Sequence, residues 1–272
     1  MIILLLLIIV SYGHSIYNEN LTKTALNISQ SAYCMNFITP EWNCKTCDND
    51  NIYEGSLLIN GEQIIFGYNT KYNVIFTGFR GSSNIKNWID NFHFKLIYPY
   101  SNNTEIGIEN GFYNLYDSLK NEIYNKLNEL SIKYKTKDLL ITGHSSGGAI
   151  ATTMTFDILY DTNYNMNYLI TFGSPRVGNE EFVKQFNKYN IYSSRITHYY
   201  DMVPHVPPEK INYLHISQEI WYNEDNTNYI ICNDTNNIED NKCSDSCAPF
   251  KCISTSDHLN YLNISMGGDG IC

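Results

Sequence analysis

Apolar residues recur along this chain in short continuous runs, at Leu57-Leu58-Ile59, Gln63 to Phe66, Asn73 to Thr77, Leu139 to Thr142, Tyr168 to Phe172 and Ser194 to Tyr199. Runs of this length, rich in β-branched and aromatic residues, predict buried strands. Asn60-Gly61 between the first two is a two-residue turn and predicts an antiparallel hairpin at the start of the sheet. Elsewhere the period lengthens. Phe112, Tyr116, Leu119, Ile123, Leu127 and Leu130 recur at three and four, which predicts one long helix over 112–134 with a single buried stripe. Ala149, Ile150, Ala151, Met154 and Ile158 predict a second buried helix. Strands alternating with helices imply an α/β fold, a mixed and mostly parallel sheet flanked by helices. Tyr213-Leu214-His215-Ile216 reads as a further strand, with His215 a core position.

A third helical pattern is shorter and two-sided. Within 83–94, Ile85, Trp88, Ile89 and Phe92 fall at i, i+3, i+4 and i+7, with Asn84, Lys86, Asn87, Asp90 and Asn91 between them. At the N-terminus, Ile2 to Val10 is an apolar run too short to span a bilayer, followed by the small residues Ser11, Gly13 and Ser15. It reads as a secretory signal over 1–15 that lacks a basic n-region, preceding one domain over 16–272. No later run is long enough for a transmembrane anchor, so a soluble, exported monomer is expected. Eight cysteines and sequons at Asn20, Asn27, Asn102, Asn233 and Asn263 suit an oxidising, extracellular address. Cys44-Lys45-Thr46-Cys47 could be a redox or zinc pair, and Cys243, Cys247 and Cys252 a metal cluster. Short-range disulfides in a cysteine-rich loop over 232–252 fit better, since the second group has no histidine near it before His258. The net charge of -10 excludes nucleic acid as an electrostatically recruited partner.

The candidate chemistry lies where a strand meets a helix. Gly143-His144-Ser145-Ser146-Gly147 is G-x-S-x-G between the run at 139–142 and the helix at 149–158. On such a turn a serine hydroxyl stands clear of the sheet, within reach of a base and of backbone N–H groups for an oxyanion. Ser145 is therefore the candidate nucleophile. The acid and then the histidine are expected to follow it in chain order. Asp201 ends a strand and precedes a proline-stiffened loop, and is the candidate acid; Asp257, next to the candidate base, would point the wrong way. Of His205, His215 and His258, the last lies on a C-terminal loop and is the candidate base. His205 reads as a structural or pocket-wall residue, and His144 as a support for the turn. The chemistry requires no metal and no organic cofactor.

These segments, with Phe79-Arg80-Gly81-Ser82, Asn87-Trp88-Ile89, Thr171 to Asn179, Asp201 to Pro208 and Asp257 to Tyr261, resemble the class 3 lipases of the fungal lipase-like family across nearly the whole chain. The resemblance implies an α/β-hydrolase fold, Ser145, Asp201 and His258 as a triad, and an oxyanion hole made by the backbone N–H groups of Ser82 and Ser146 with the Ser82 hydroxyl. The family usually carries Leu where this chain has Ser146, which makes the wall there more polar. Bridges Cys34 to Cys272, Cys44 to Cys47 and Cys232 to Cys243 are implied likewise, leaving Cys247 and Cys252 to pair as an addition. The amphipathic segment over 83–94 matches the family's lid, with Ile85, Trp88, Ile89 and Phe92 as its apolar face. The expected activity is hydrolysis of lipid acyl esters at a lipid–water interface through an acyl-enzyme. Phospholipase A1 or feruloyl-type esterase activity, acyl transfer to an alcohol, and a non-catalytic lipase-like binding protein are the alternatives.

Overall fold

The computed structural model describes residues 16–34, 42, 44–59, 61–91, 93–234, 239–248, 250–267 and 272. The signal reading of 1–15, Asn60 of the predicted turn and Phe92 of the predicted lid face lie outside them.

An eight-stranded sheet runs in the order β1 (Asn51–Ile59), β2 (Glu62–Asn69), β3 (Val74–Phe79), β6 (Asp138–His144), β7 (Asn165–Phe172), β8 (Tyr192–His198), β9 (Glu219–Tyr222), β10 (Tyr229–Ile231). The first two pairings are antiparallel, β3 to β9 are parallel, and β10 returns antiparallel. Small strands β4 (Leu96–Ile97) and β5 (Ile108–Glu109) pair with each other, as do β11 (Asn260–Tyr261) and β12 (Ile264–Ser265). The period of two sorts side chains to opposite faces. Ile75, Phe79, Leu139 and Ile141 join one core cluster, while Val74, Phe76, Leu140 and Ile170 join the other. Apolar runs are continuous here because both faces are covered.

On the first face lie α3 (Asn110–Tyr134) and α4 (Ser146–Asp161). The buried residues of α3 are the six of the predicted stripe; each contributes about 1.5–3 kcal/mol when fully buried. α5 (Glu180–Phe186) adds Phe182, Val183 and Phe186 to the same core. On the second face lies α1 (Glu19–Ser31), capped by Asn18, which accepts from the Leu21 N–H. This helix does not stand out in the sequence because polar residues are buried beside its apolar ones. Thr22, Ser29 and Gln30 are inside, and Ser29 Oγ lies 2.7 Å from Thr142 Oγ on β6.

The strand expected at 213–216 does not form. Leu214 makes a single bridge to Gly178, and His215 sits in a buried loop with Nε2 2.8 Å from the Pro204 carbonyl. Four disulfides join Cys34 to Cys272, Cys44 to Cys47, Cys232 to Cys243 and Cys247 to Cys252. The first ties the end of α1 to the C-terminus across 238 residues.

Candidate active site

Ser145 stands between the end of β6 and the start of α4, with φ 59° and ψ -134°. This is a strained left-handed conformation for a residue with a Cβ, the backbone geometry of a nucleophile elbow. The elbow closes only because its flanks are glycines: a Cβ on Gly147 would meet the Phe79 and Arg80 carbonyl oxygens at 2.5 and 2.6 Å, and one on Gly143 would meet the Gly147 oxygen at 2.4 Å. Ser145 is fully buried.

Asp201 follows β8 and is bridged to Ser254, whose hydroxyl caps α6 (Thr255–His258) by accepting from the Asp257 N–H. That bridge places His258 beside the acid. His258 Nδ1 lies 3.0 and 2.9 Å from the two Asp201 oxygens, and both side chains are buried. The Val203 N–H and the Tyr261 hydroxyl also donate to the carboxylate. Burial and the carboxylate raise the Tyr261 phenol well above its ordinary range, so it stays a donor. Gly173, at φ +55°, leaves room for this cluster; its Cβ would fall 2.9 Å from His258 Nδ1. Asp257 turns away, with Oδ2 accepting from the Tyr200 N–H. Neither Ser145 Oγ nor His258 Nε2 has a hydrogen-bond partner; such bonds often tighten only in the substrate complex.

His144 braces the elbow from behind. Its ring lies 4.5 Å from that of His258, Nε2 is 2.8 Å from the His258 carbonyl, and Nδ1 is 2.7 Å from the Tyr33 hydroxyl. Burial, with His258 close by, holds its pKa well below the usual range, so the ring is neutral. A neutral ring satisfies both contacts when Nε2–H donates to the carbonyl and Nδ1 accepts from Tyr33. Tyr33 in turn accepts from the Gly81 N–H. Tyr33 and Tyr261 escape sequence reasoning because both act across long stretches of chain. His205 is set apart, near Asp245 and the Cys247 sulfur.

Beside the elbow, the Ser82 N–H donates to Ser146 Oγ at 3.0 Å, and the two hydroxyls are 3.1 Å apart. The predicted lid segment contains α2 (Ile85–Asn91), none of whose residues is fully buried. Ile85, Trp88 and Ile89 are half-buried, and Asn84, Lys86, Asn87 and Asp90 are exposed. The Trp88 ring packs 6.2 Å from that of Phe112. A cavity of about 360 Å³ opens between α2, α3 and α4, lined by Ser82, Trp88, Phe112, Leu115, Ser146 and Ile150 together with Glu62, Asn91, His93, Glu109, Asn110 and Gly111.

A serine at a strand-to-helix elbow of a mostly parallel sheet, with an aspartate–histidine pair supplied in that order by later loops, defines an α/β-hydrolase. The chain belongs to the class 3 lipase family, a family of carboxylic ester hydrolases: the Lipase (class 3) model matches residues 76–211. It is 31% identical over 251 residues to a lipase of Rhizomucor miehei, covering 88% of this chain and 67% of that protein. It is 30% identical over 260 residues to a lipase of Rhizopus niveus, covering 92% and 64%. The chain thus spans about two thirds of the length of these relatives. Among solved structures, lipase II from Rhizopus niveus superposes with a TM-score of 0.82 at 28% identity, covering 92% of this chain and 96% of that one. A triacylglycerol lipase whose catalytic centre is described as a serine protease triad gives 0.80 at 29%, covering 92% and 96%.

Proposed function

We propose that this protein is a secreted serine hydrolase that cleaves acyl esters of lipids at a lipid–water interface. Ser145 attacks the ester carbonyl as His258 Nε2 takes its proton, and the backbone N–H groups of Ser82 and Ser146 receive the oxyanion, with the Ser82 hydroxyl beside them. His258 returns the proton to the departing alcohol. Water, deprotonated by His258, then attacks the acyl-Ser145 ester, and His258 returns that proton to Ser145 Oγ as the fatty acid leaves. Asp201 keeps Nδ1 protonated, so that Nε2 is the nitrogen that takes up and gives back each proton.

The observation that carries the reading is the complete burial of the candidate nucleophile, with the half-buried amphipathic α2 lining a cavity beside Ser82 and Ser146. Ser145 has no solvent exposure, so an ester reaches it only if a neighbouring element moves. α2 has no fully buried residue, and its Ile85, Trp88 and Ile89 would be exposed by that movement. In water this exposure costs on the order of 1.5 kcal/mol or more per side chain; against lipid the cost vanishes. No helix among the described residues is long and apolar enough to cross a membrane, and the enzyme would meet lipid through this surface.

Triacylglycerol emulsion, phosphatidylcholine and a feruloyl ester, each offered to wild type and Ser145→Ala, test the proposal. Hydrolysis of the emulsified glyceride by wild type alone is expected. Hydrolysis of none of the three, or equal hydrolysis by the variant, contradicts it.

A further inference from the structure

The oxyanion hole assigned above has an occupant of its own. Ser146 Oγ accepts the Ser82 N–H at 3.0 Å and lies 3.1 Å from the Ser82 hydroxyl. That oxygen therefore engages the Ser82 N–H, one of the two backbone donors that an acyl oxyanion would use, and lies beside the Ser82 hydroxyl, the third group assigned to the hole. Ser146 is only 5% exposed, so bulk water competes weakly for the position. Ser145 and His258 make no hydrogen bond to it, and each retains an unpartnered atom for catalysis.

We propose that the Ser146 hydroxyl is a built-in plug of the oxyanion hole, a self-ligand that each ester must displace before its carbonyl oxygen can bind. The inference rests on the assignment of the Ser82 and Ser146 N–H groups as the hole. Displacement requires rotation about one side-chain bond into another staggered position. The cavity lined by Ser82 and Ser146 adjoins the hydroxyl on the side of α2 and gives it somewhere to turn. A carbonyl oxygen and a hydroxyl are similar neutral acceptors, so a bound ester gains little by the exchange. A tetrahedral oxyanion gains more, because hydrogen bonds to a charged acceptor are about twice as strong. The plug thus weakens binding of uncharged carbonyl groups and yields to the charged intermediate. The leucine usual at this position in the family has no acceptor atom and cannot fill the hole in this way.

The test is the affinity of a short alkylboronic acid, which forms a tetrahedral adduct with the nucleophilic serine, together with kcat/KM on a water-soluble short-chain ester. In Ser146→Ala and Ser146→Leu both quantities should improve by about two- to tenfold, the net worth of one neutral hydrogen bond. Ser146→Thr, which keeps the hydroxyl, should show no such gain in boronic acid affinity. Unchanged or weaker boronic acid binding in both Ser146→Ala and Ser146→Leu overturns the plug, and a parallel fall in kcat/KM would show that the hydroxyl assists the oxyanion instead. Ser145→Ala separates the two levels of inference. Loss of boronic acid binding in that variant keeps the site and leaves the plug to stand or fall alone, whereas retained binding overturns the site itself.

Discussion

The Asp201 carboxylate is held by donors from three directions: His258 Nδ1, the Val203 N–H and the Tyr261 hydroxyl. In the proposed mechanism its role is to fix which histidine nitrogen carries the proton. Asp201→Asn should therefore lower kcat by about 10⁴ with little change in KM, by analogy with the same replacement in serine protease triads. Tyr261→Phe leaves the carboxylate in place with one donor fewer, and should cost about ten- to hundredfold in kcat, the scale of one hydrogen bond to a charged group. Steady-state kinetics on a soluble ester read both; a larger effect for Tyr261→Phe than for Asp201→Asn would contradict the assignment. Ser145 is legible in the sequence because its motif is local: two glycines, a strand before and a helix after. Asp201 and His258 are legible by chain order and loop context. Tyr261 is not, since its bond to Asp201 spans 60 residues and nothing in Asn260-Tyr261 advertises it. The engagement of the Ser82 N–H by Ser146 is hidden for the same reason, although the departure from leucine marks the position.

Among the α-helices of the described residues, α2 alone has no buried residue. α3 buries a six-residue stripe and α4 is buried throughout 146–158, whereas α2 has no fully buried residue and packs its Trp88 ring against that of Phe112. Replacing Trp88 and Ile89 together with serine should reduce hydrolysis of emulsified glyceride at least about tenfold, from the loss of two apolar contacts with lipid. Activity on a soluble short ester should change much less; equal losses on both substrates would remove the lid. The elements readable from the sequence are those with one simple period, such as β3, β6, β7 and α3. α1 was hidden by its buried polar residues, and β9 and β10 are short, with β10 exposed along its length. The residues around His215 read as a strand but form a loop, in which the chain makes one bridge to Gly178 before turning to β9.

Over the whole molecule, the Cys34–Cys272 bond closes nearly the entire chain, and Cys34→Ser with Cys272→Ser should lower unfolding stability by roughly 3 to 5 kcal/mol in chemical denaturation. A second device lies beneath the acid loop, where Arg176 and Glu239 are buried together and joined by two hydrogen bonds of 2.8 Å. Burial by itself would raise the Glu239 carboxyl; His215 and the adjacent Arg176 guanidinium, which also donates to it, together hold it below the usual range. A carboxyl depressed in the folded state stabilises the protein above its unfolded pKa of about 4.3, and that contribution is lost as pH falls through the lower folded value. Glu239→Gln should cost about 3 kcal/mol at neutral pH by leaving Arg176 buried without its main partner. Its stability should also fall less than that of wild type on acidification below about pH 4; parallel acid profiles would contradict this. The central claim concerns Ser145, and its most direct measurement is peptide mapping by mass spectrometry after exposure to an alkyl phosphonate ester, with and without an emulsion. The account predicts one phosphonyl group, on the peptide containing Ser145, formed faster with the emulsion and in step with loss of ester hydrolysis. Modification elsewhere, or full activity after Ser145 is modified, would contradict it.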